Sequence, residues 1–207
     1  TEADREVLAA YLRKYPDVIL LSDEIYEKII YPGYEVVSMA SYPDLADRVI
    51  IVNGFSKSSA MTGWRLGYLA CSDEIFKVVM KLFQHTMSCT SGFLQKAAVV
   101  ALDCKEETEQ MRKEYEKRSQ ILYKGMKDIP HVEMLPPEGA FYAWVKFDLG
   151  LDSQQLCDML LEKAKIAGVP GIAYGEEEKM CVRFSYAASE ESLRQMLVNL
   201  KQLMEQM

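Results

Sequence analysis

The 207-residue sequence carries 24 Lys and Arg against 31 Asp and Glu, a formal charge of −7 at pH 7, which argues against nucleic acid or an anionic membrane surface as a partner. Its apolar share of 49% is that of a globular protein with a real core, and its length suits one large or two small domains. No apolar run approaches the roughly 20 residues of a membrane span, and no signal-peptide pattern opens the sequence. The five cysteines, Cys71, Cys89, Cys104, Cys157 and Cys181, are odd in number and hold no CxxC pair, so reduced, buried thiols of a cytoplasmic protein are expected. His85 and His131 stand apart, against a histidine metal cluster.

In chain order, Thr1-Glu2-Ala3-Asp4 predicts a helix start with Thr1 as N-cap, and Val7, Leu8, Tyr11 and Leu12 continue one helical face until Pro16 ends it. Val18 to Leu21 reads as a buried strand ending in Ser22-Asp23-Glu24-Ile25-Tyr26-Glu27. A carboxylate at the C-terminal end of a parallel strand lies where open α/β sheets bind ligands; Asp23 equally suits a turn cap, and Glu24 and Glu27 read as solvated. Residues 31–47, with Pro32-Gly33 and Pro43, predict a loop with room for a short helix. Val49 to Val52 is a second buried strand.

The stretch Asn53 to Tyr68, NGFSKSSAMTGWRLGY, leads from that strand to the apolar run Leu66 to Ala70. Small residues let a loop approach a ligand closely, and the fork of Arg65 suits a phosphate. Lys57 at the end of a buried strand can be desolvated, which favours its neutral, nucleophilic form. An ordinary solvated lysine and a surface arginine fit the bare residues as well. Farther on, Ser72-Asp73-Glu74 caps a predicted helix to about Gln84, and a second helix runs from about Ser91 to Leu102. The charged stretch from Glu106 to Lys127 is helical by period, and the domain boundary is set near residue 108. The remainder predicts a small α+β unit: strands over His131–Leu135, Ala140–Phe147 and Met180–Tyr186, an amphipathic helix over Leu151–Ala167, and a last helix from Ser189. Arg183 stands inside an apolar strand, where a charge must find a partner; an internal carboxylate and a bound ligand are both open.

Three of these stretches resemble the class I/II aminotransferases, pyridoxal-phosphate enzymes of fold type I. The words SK-x-x-x-MTGWRLGY resemble the family's cofactor-lysine segment, SDEIYE its second signature, and PEGAFYAWV the segment lining the substrate side of the cleft. The resemblance implies an α/β fold: residues 1–107 as the C-terminal part of the large cofactor-binding domain, and 108–207 as the small C-terminal domain. It implies that Lys57 forms a Schiff base with the cofactor aldehyde and that Arg65 holds the phosphate. Asp23 would pair with the pyridine nitrogen, Tyr26 hydrogen-bond the phenolic oxygen, and Arg183 grip the substrate α-carboxylate. One position departs from the pattern: many relatives carry a serine three places before the lysine, where Gly54 stands, and Ser56 is no assured substitute.

The resemblance covers the C-terminal half of an aminotransferase, so a fragment, a truncation or a proteolytic product is expected. Such a chain is expected to bind pyridoxal phosphate weakly and not to transaminate alone. It is also expected to expose an open sheet edge near residues 18–22 that favours self-association. The implied reaction moves an amino group from an amino acid to a 2-oxo acid, in a homodimer. A carbon–sulfur lyase on the same fold, or the effector domain of a transcription regulator, are the alternatives.

Overall fold

The computed structural model describes residues 1–175 and 178–207. Two compact units divide the chain, Thr1–Gln110 and Met111–Met207.

Unit 1 opens with helix α1 (Glu2–Lys14), whose start is built as the sequence predicts. The Thr1 hydroxyl accepts from the Asp4 N–H, and the Asp4 side chain closes the capping box. Strand β1 (Leu20–Asp23) then pairs in parallel with β2 (Val49–Gly54), matching Asp23 to Val52, and β3 (Gly67–Ala70) pairs antiparallel on the far side of β2. Ala9 and Leu12 of α1 form a core with Met39, Leu45 and Val49, and Leu20 and Ile51 pack against it. This core covers one face of the strands. The expectation of a wholly buried first strand is corrected: Ile19 and Leu21 are 55% and 61% exposed. An edge strand packed on one face alternates inward and outward side chains, so a continuous apolar run overstates its burial.

Arg48 locks the exit of α1. Its guanidinium donates to the carbonyls of Leu12, Tyr15 and Val18 at 2.9, 3.1 and 3.1 Å, and so supplies the Leu12 carbonyl, which faces Pro16 in place of an N–H, with a partner. The helices that follow, α3 (Asp73–Thr86) and α4 (Gly92–Asp103), are thinly covered. α4 contributes Ala98 to a small cluster with Phe55 and Leu66, while α3 buries no residue. Ser72 does not cap α3; its hydroxyl donates to the Asp47 carbonyl at 3.2 Å.

Helix α5 (Lys105–Met126) crosses from one unit to the next. Unit 2 contains a four-stranded antiparallel sheet in the order β4 (Val132–Met134), β5 (Tyr142–Phe147), β7 (Cys181–Ser185), β6 (Val169–Pro170). Alternation decides its faces. Ala143, Val145 and Phe147 of β5 and Val182 and Phe184 of β7 are buried, with Leu156 and Leu160 of the α6 region, Leu193 and Leu200 of α7 (Glu190–Met204), and Leu122 and Met126 of α5. Phe147 and Phe184 meet edge to face, 6.3 Å between centroids.

Two sequence expectations shift here. The helix predicted over Leu151–Ala167 is shorter: α6 (Ser153–Met159) passes into a π turn over Leu160–Ala164, and Lys165 at φ 58° ends it in a left-handed turn. The freed residues lead into β6, a two-residue edge strand that composition did not reveal; its Pro170 is tolerated at an edge. Of the cysteines, only Cys157 and Cys181 are buried; Cys89 is exposed, and all five are free thiols.

Candidate active site

Parallel pairing of β1 and β2 brings their C-terminal ends side by side. Asp23 is the last residue of β1, and Lys57 stands on α2 (Phe55–Ser58), a single helical turn directly after β2. The sequence led to a loop at this place; the chain instead turns helically at Gly54, and Ser58 Oγ donates to the Gly54 carbonyl at 3.4 Å. Lys57 is half-buried, with its Nζ 5.8 Å from the centre of the Tyr26 ring. Tyr26 follows Asp23 by three residues in the turn after β1. Asp23, Tyr26 and Lys57 thus share one end of the sheet.

Asp23 does cap this turn: its Oδ1 accepts from the Ile25 N–H at 3.2 Å. Its second oxygen makes no hydrogen bond among the described residues. Glu24, expected to be solvated, is half-buried and accepts from the hydroxyls of Ser22 and Ser38 at 3.1 and 2.8 Å. Burial, then the negative charges of Glu27 and Glu24, raise the Tyr68 hydroxyl above its ordinary pKa.

Arg65 is exposed and holds a left-handed backbone at φ 52°, as does Ala60 at φ 53°. A left-handed residue with a side chain costs about 1–2 kcal/mol, and such strain clusters at ligand-binding turns. The Arg65 guanidinium donates to the Thr62 carbonyl at 3.0 Å and leaves its other donors toward solvent. Gly54 explains the departure from the serine pattern. A Cβ there would stand 2.8 Å from the Gly67 Cα and 2.9 Å from the Leu66 carbonyl, so the backbones of β2 and β3 meet too closely for a side chain. A cleft of about 450 Å³ opens beside this turn, lined by Asn53, Gly54, Ser58, Tyr68, Lys105 and Thr108; its lining does not include Asp23, Lys57 or Arg65.

In unit 2, Arg183 lies at the middle of β7, cross-strand from Trp144 of β5 and Val169 of β6. It points to the face opposite the buried Val182 and Phe184. Its guanidinium carbon lies 4.1 Å from the centre of the Tyr142 ring and 5.1 Å from that of Tyr174. Among the described residues the guanidinium makes no ion pair or hydrogen bond, so no described carboxylate is its partner. The sequence reading passed over Tyr174. Its one signal, an aromatic between Gly171 and Gly175, gains meaning only once β6 is seen beside β7.

No group of three or more His, Cys, Asp or Glu among the described residues could hold a metal ion. No helix of the described residues is long and apolar enough to cross a membrane.

This architecture is that of the fold type I aminotransferases. Its backbone matches the aromatic aminotransferase of Pyrococcus horikoshii with a TM-score of 0.95 and 35% identity, over 100% of this chain and 56% of that one. It matches the aspartate aminotransferase of Rhizobium meliloti with a TM-score of 0.94 and 33% identity, over 99% of this chain and 54% of that one. The profile of the family "Aminotransferase class I and II" matches residues 1–200, and the chain belongs to that family. Aromatic-amino-acid aminotransferase 2 of Thermococcus litoralis is 34% identical over 210 residues, which is 100% of this chain and 54% of that protein. The aspartate aminotransferase of Pyrococcus abyssi is 36% identical over 97% of this chain and 52% of its own length. The chain spans about half the length of the curated relatives it matches.

Proposed function

We propose that this chain is the C-terminal half of a pyridoxal-phosphate-dependent aminotransferase. Unit 1 is then part of its large domain and unit 2 its small one. The observation that carries the reading is the meeting of Asp23, Tyr26 and Lys57 at the C-terminal ends of two parallel strands, with the Lys57 amine 5.8 Å from the Tyr26 ring. These residues fit the cofactor: a carboxylate with an uncommitted oxygen, a phenol, a half-buried amine, and an arginine held in a strained backbone with its donors outward.

Asp23 would hold a proton on the pyridine nitrogen, Tyr26 would donate to the phenolic oxygen, and Arg65 would bind the phosphate. Bound pyridoxal phosphate supplies an electron sink for the pair released when the substrate Cα–H bond breaks. The Lys57 amine would serve as the general base that takes that proton from Cα and as the general acid that gives it back. Arg183 grips the substrate α-carboxylate through its planar fork. The amino group of an amino acid passes in this way to a 2-oxo acid. Because Gly54 leaves no room for a hydroxyl, Arg65 carries a larger share of phosphate binding here than in relatives with the serine. We read the parent protein as a cytoplasmic homodimer, an assembly general in the family.

The test is transfer from aspartate or phenylalanine to 2-oxoglutarate by the parent protein loaded with cofactor. Lys57→Ala is expected to lower the rate by about 10²–10⁴-fold, the usual worth of a general base. Transfer that survives Lys57→Ala undiminished, or release of ammonia in place of a new amino acid, overturns the reading.

A further inference from the structure

The surroundings of Arg183 are unusual for a charge in a strand. A half-buried guanidinium is ordinarily paired with a carboxylate or with carbonyls. Here its contacts among the described residues are ring faces: Tyr142 at 4.1 Å and Tyr174 at 5.1 Å. The two chemistries have different consequences. A carboxylate takes the in-plane N–H donors, the same ones a ligand's carboxylate needs. A ring face takes the flat side of the guanidinium and leaves the in-plane fork unoccupied. Ring stacking also restrains a side chain that is otherwise rich in rotamers, so less freedom is lost when a ligand binds.

The sheet builds this arrangement from three separate segments. Tyr142 and Trp144 are alternate residues of β5 on the face that Arg183 occupies, Trp144 directly across from it and Tyr142 on the diagonal. Tyr174 arrives from the turn after β6. It meets Trp144 edge to face at 5.2 Å, and the Trp144 indole N–H is anchored on Glu178 Oε2 at 3.2 Å. The chain of contacts runs from Glu178 through Trp144 and Tyr174 to the guanidinium.

Resting on the reading of Arg183 as the carboxylate-binding group, we propose that Tyr142 and Tyr174 are positioning residues that hold its guanidinium by their ring faces, with Trp144 bracing Tyr174. They act through Arg183 and are not themselves catalytic residues. The ring is the working part, so phenylalanine should replace tyrosine at either position and leucine should not.

The experiment follows the Arg183 Nε–H signal of the full, isotopically labelled chain by NMR while 2-oxoglutarate is added. In the unaltered chain that proton is expected to be shifted upfield by the ring currents and to respond to the ligand. Tyr174→Leu and Tyr142→Leu are each expected to reduce the upfield shift and weaken 2-oxoglutarate binding by about tenfold, within the roughly 2- to 30-fold worth of a cation–π contact. Tyr174→Phe and Tyr142→Phe should keep both. Tyr174 is 49% exposed, so its substitution leaves the core intact and decides the matter if Tyr142→Leu fails to fold. A ligand response that Tyr174→Leu leaves at full strength overturns the positioning role while the carboxylate role of Arg183 stands. A Phe variant as weak as the Leu variant overturns the ring-face account. No response at Arg183 in the unaltered chain overturns the carboxylate reading and the proposal with it.

Discussion

The two units spend their apolar residues differently. Unit 2 sets the inward faces of β5 and β7 beside Leu156, Leu160, Leu193 and Leu200, all buried, and exposes few large apolar side chains. Unit 1 has small, separate clusters, and Phe76, Val78 and Leu82 of α3 and Phe93, Val99 and Val100 of α4 are all exposed. Its sheet has three strands, with β1 and β3 as edges. An antiparallel sheet whose inward face is covered by helices completes its own core. A short mixed sheet leaves faces and edges that need further chain or a partner to cover them. The same difference separates their chemistry: Arg183 is held by rings from within its own unit, whereas Asp23 and Lys57 stand at an open sheet end.

The strongest way to break this comparison is a pair of truncations. Phe184→Ala, at 1% exposure, is expected to cost about 3–5 kcal/mol, and Leu82→Ala, at 68% exposure, less than about 0.5 kcal/mol. Urea unfolding of the two variants measures both. Equal costs would mean that α3 is packed after all. Replacing Val78 and Leu82 together by Glu and Lys should also lower self-association, read by light scattering, without lowering stability.

Gly54→Ser sharpens the account of the lysine turn. Its Cβ would collide with the backbone at Gly67 and Leu66, so a loss of roughly 1–3 kcal/mol is expected in thermal unfolding. Added affinity for phosphate without loss of stability would contradict the close approach of β2 and β3. Arg48→Met removes three carbonyl partners from the end of α1, with an expected cost of roughly 1.5–3 kcal/mol. Hydrogen exchange should show the loss first in residues 12–18.

The smallest effect is expected at an exposed pair in unit 2. Lys117 donates to Glu190, which lowers the Glu190 carboxyl below its ordinary pKa and raises the Lys117 ammonium above its own. A depressed carboxyl stabilises the fold above its unfolded pKa, and that stabilisation is lost as pH falls through the folded value. A raised ammonium stabilises below its unfolded pKa, with loss as pH rises through the folded one. The pair therefore helps between these limits and is weakened by salt. Glu190→Gln should lower the melting temperature at pH 7 by less than about 1 °C, and by progressively less as pH falls through the folded carboxyl value.

Much of this molecule was legible in the residues. The cap at Thr1 and Asp4 uses local hydrogen bonds within one turn, so it is written in adjacent letters. The parallel strands ending at Asp23 and Gly54, the helix α5 and the alternation of β5 follow from periodicity. Lys57, Asp23, Tyr26, Arg65 and Arg183 were singled out by resemblance to family segments, and of these the fold brings Asp23, Tyr26 and Lys57 to one end of a sheet. What tertiary structure alone decided are relations between distant segments. The outward face of β1 is exposed because nothing among the described residues packs on it, a fact that an apolar run cannot record. Gly54 has no room for a hydroxyl because Gly67, thirteen residues away, presses on it. Tyr174 reaches Arg183 because a two-residue strand, too short to carry a pattern, pairs with β7. Local sequence encodes the elements and the reactive groups; close approach of backbones and rings from separate segments depends on how those elements pack.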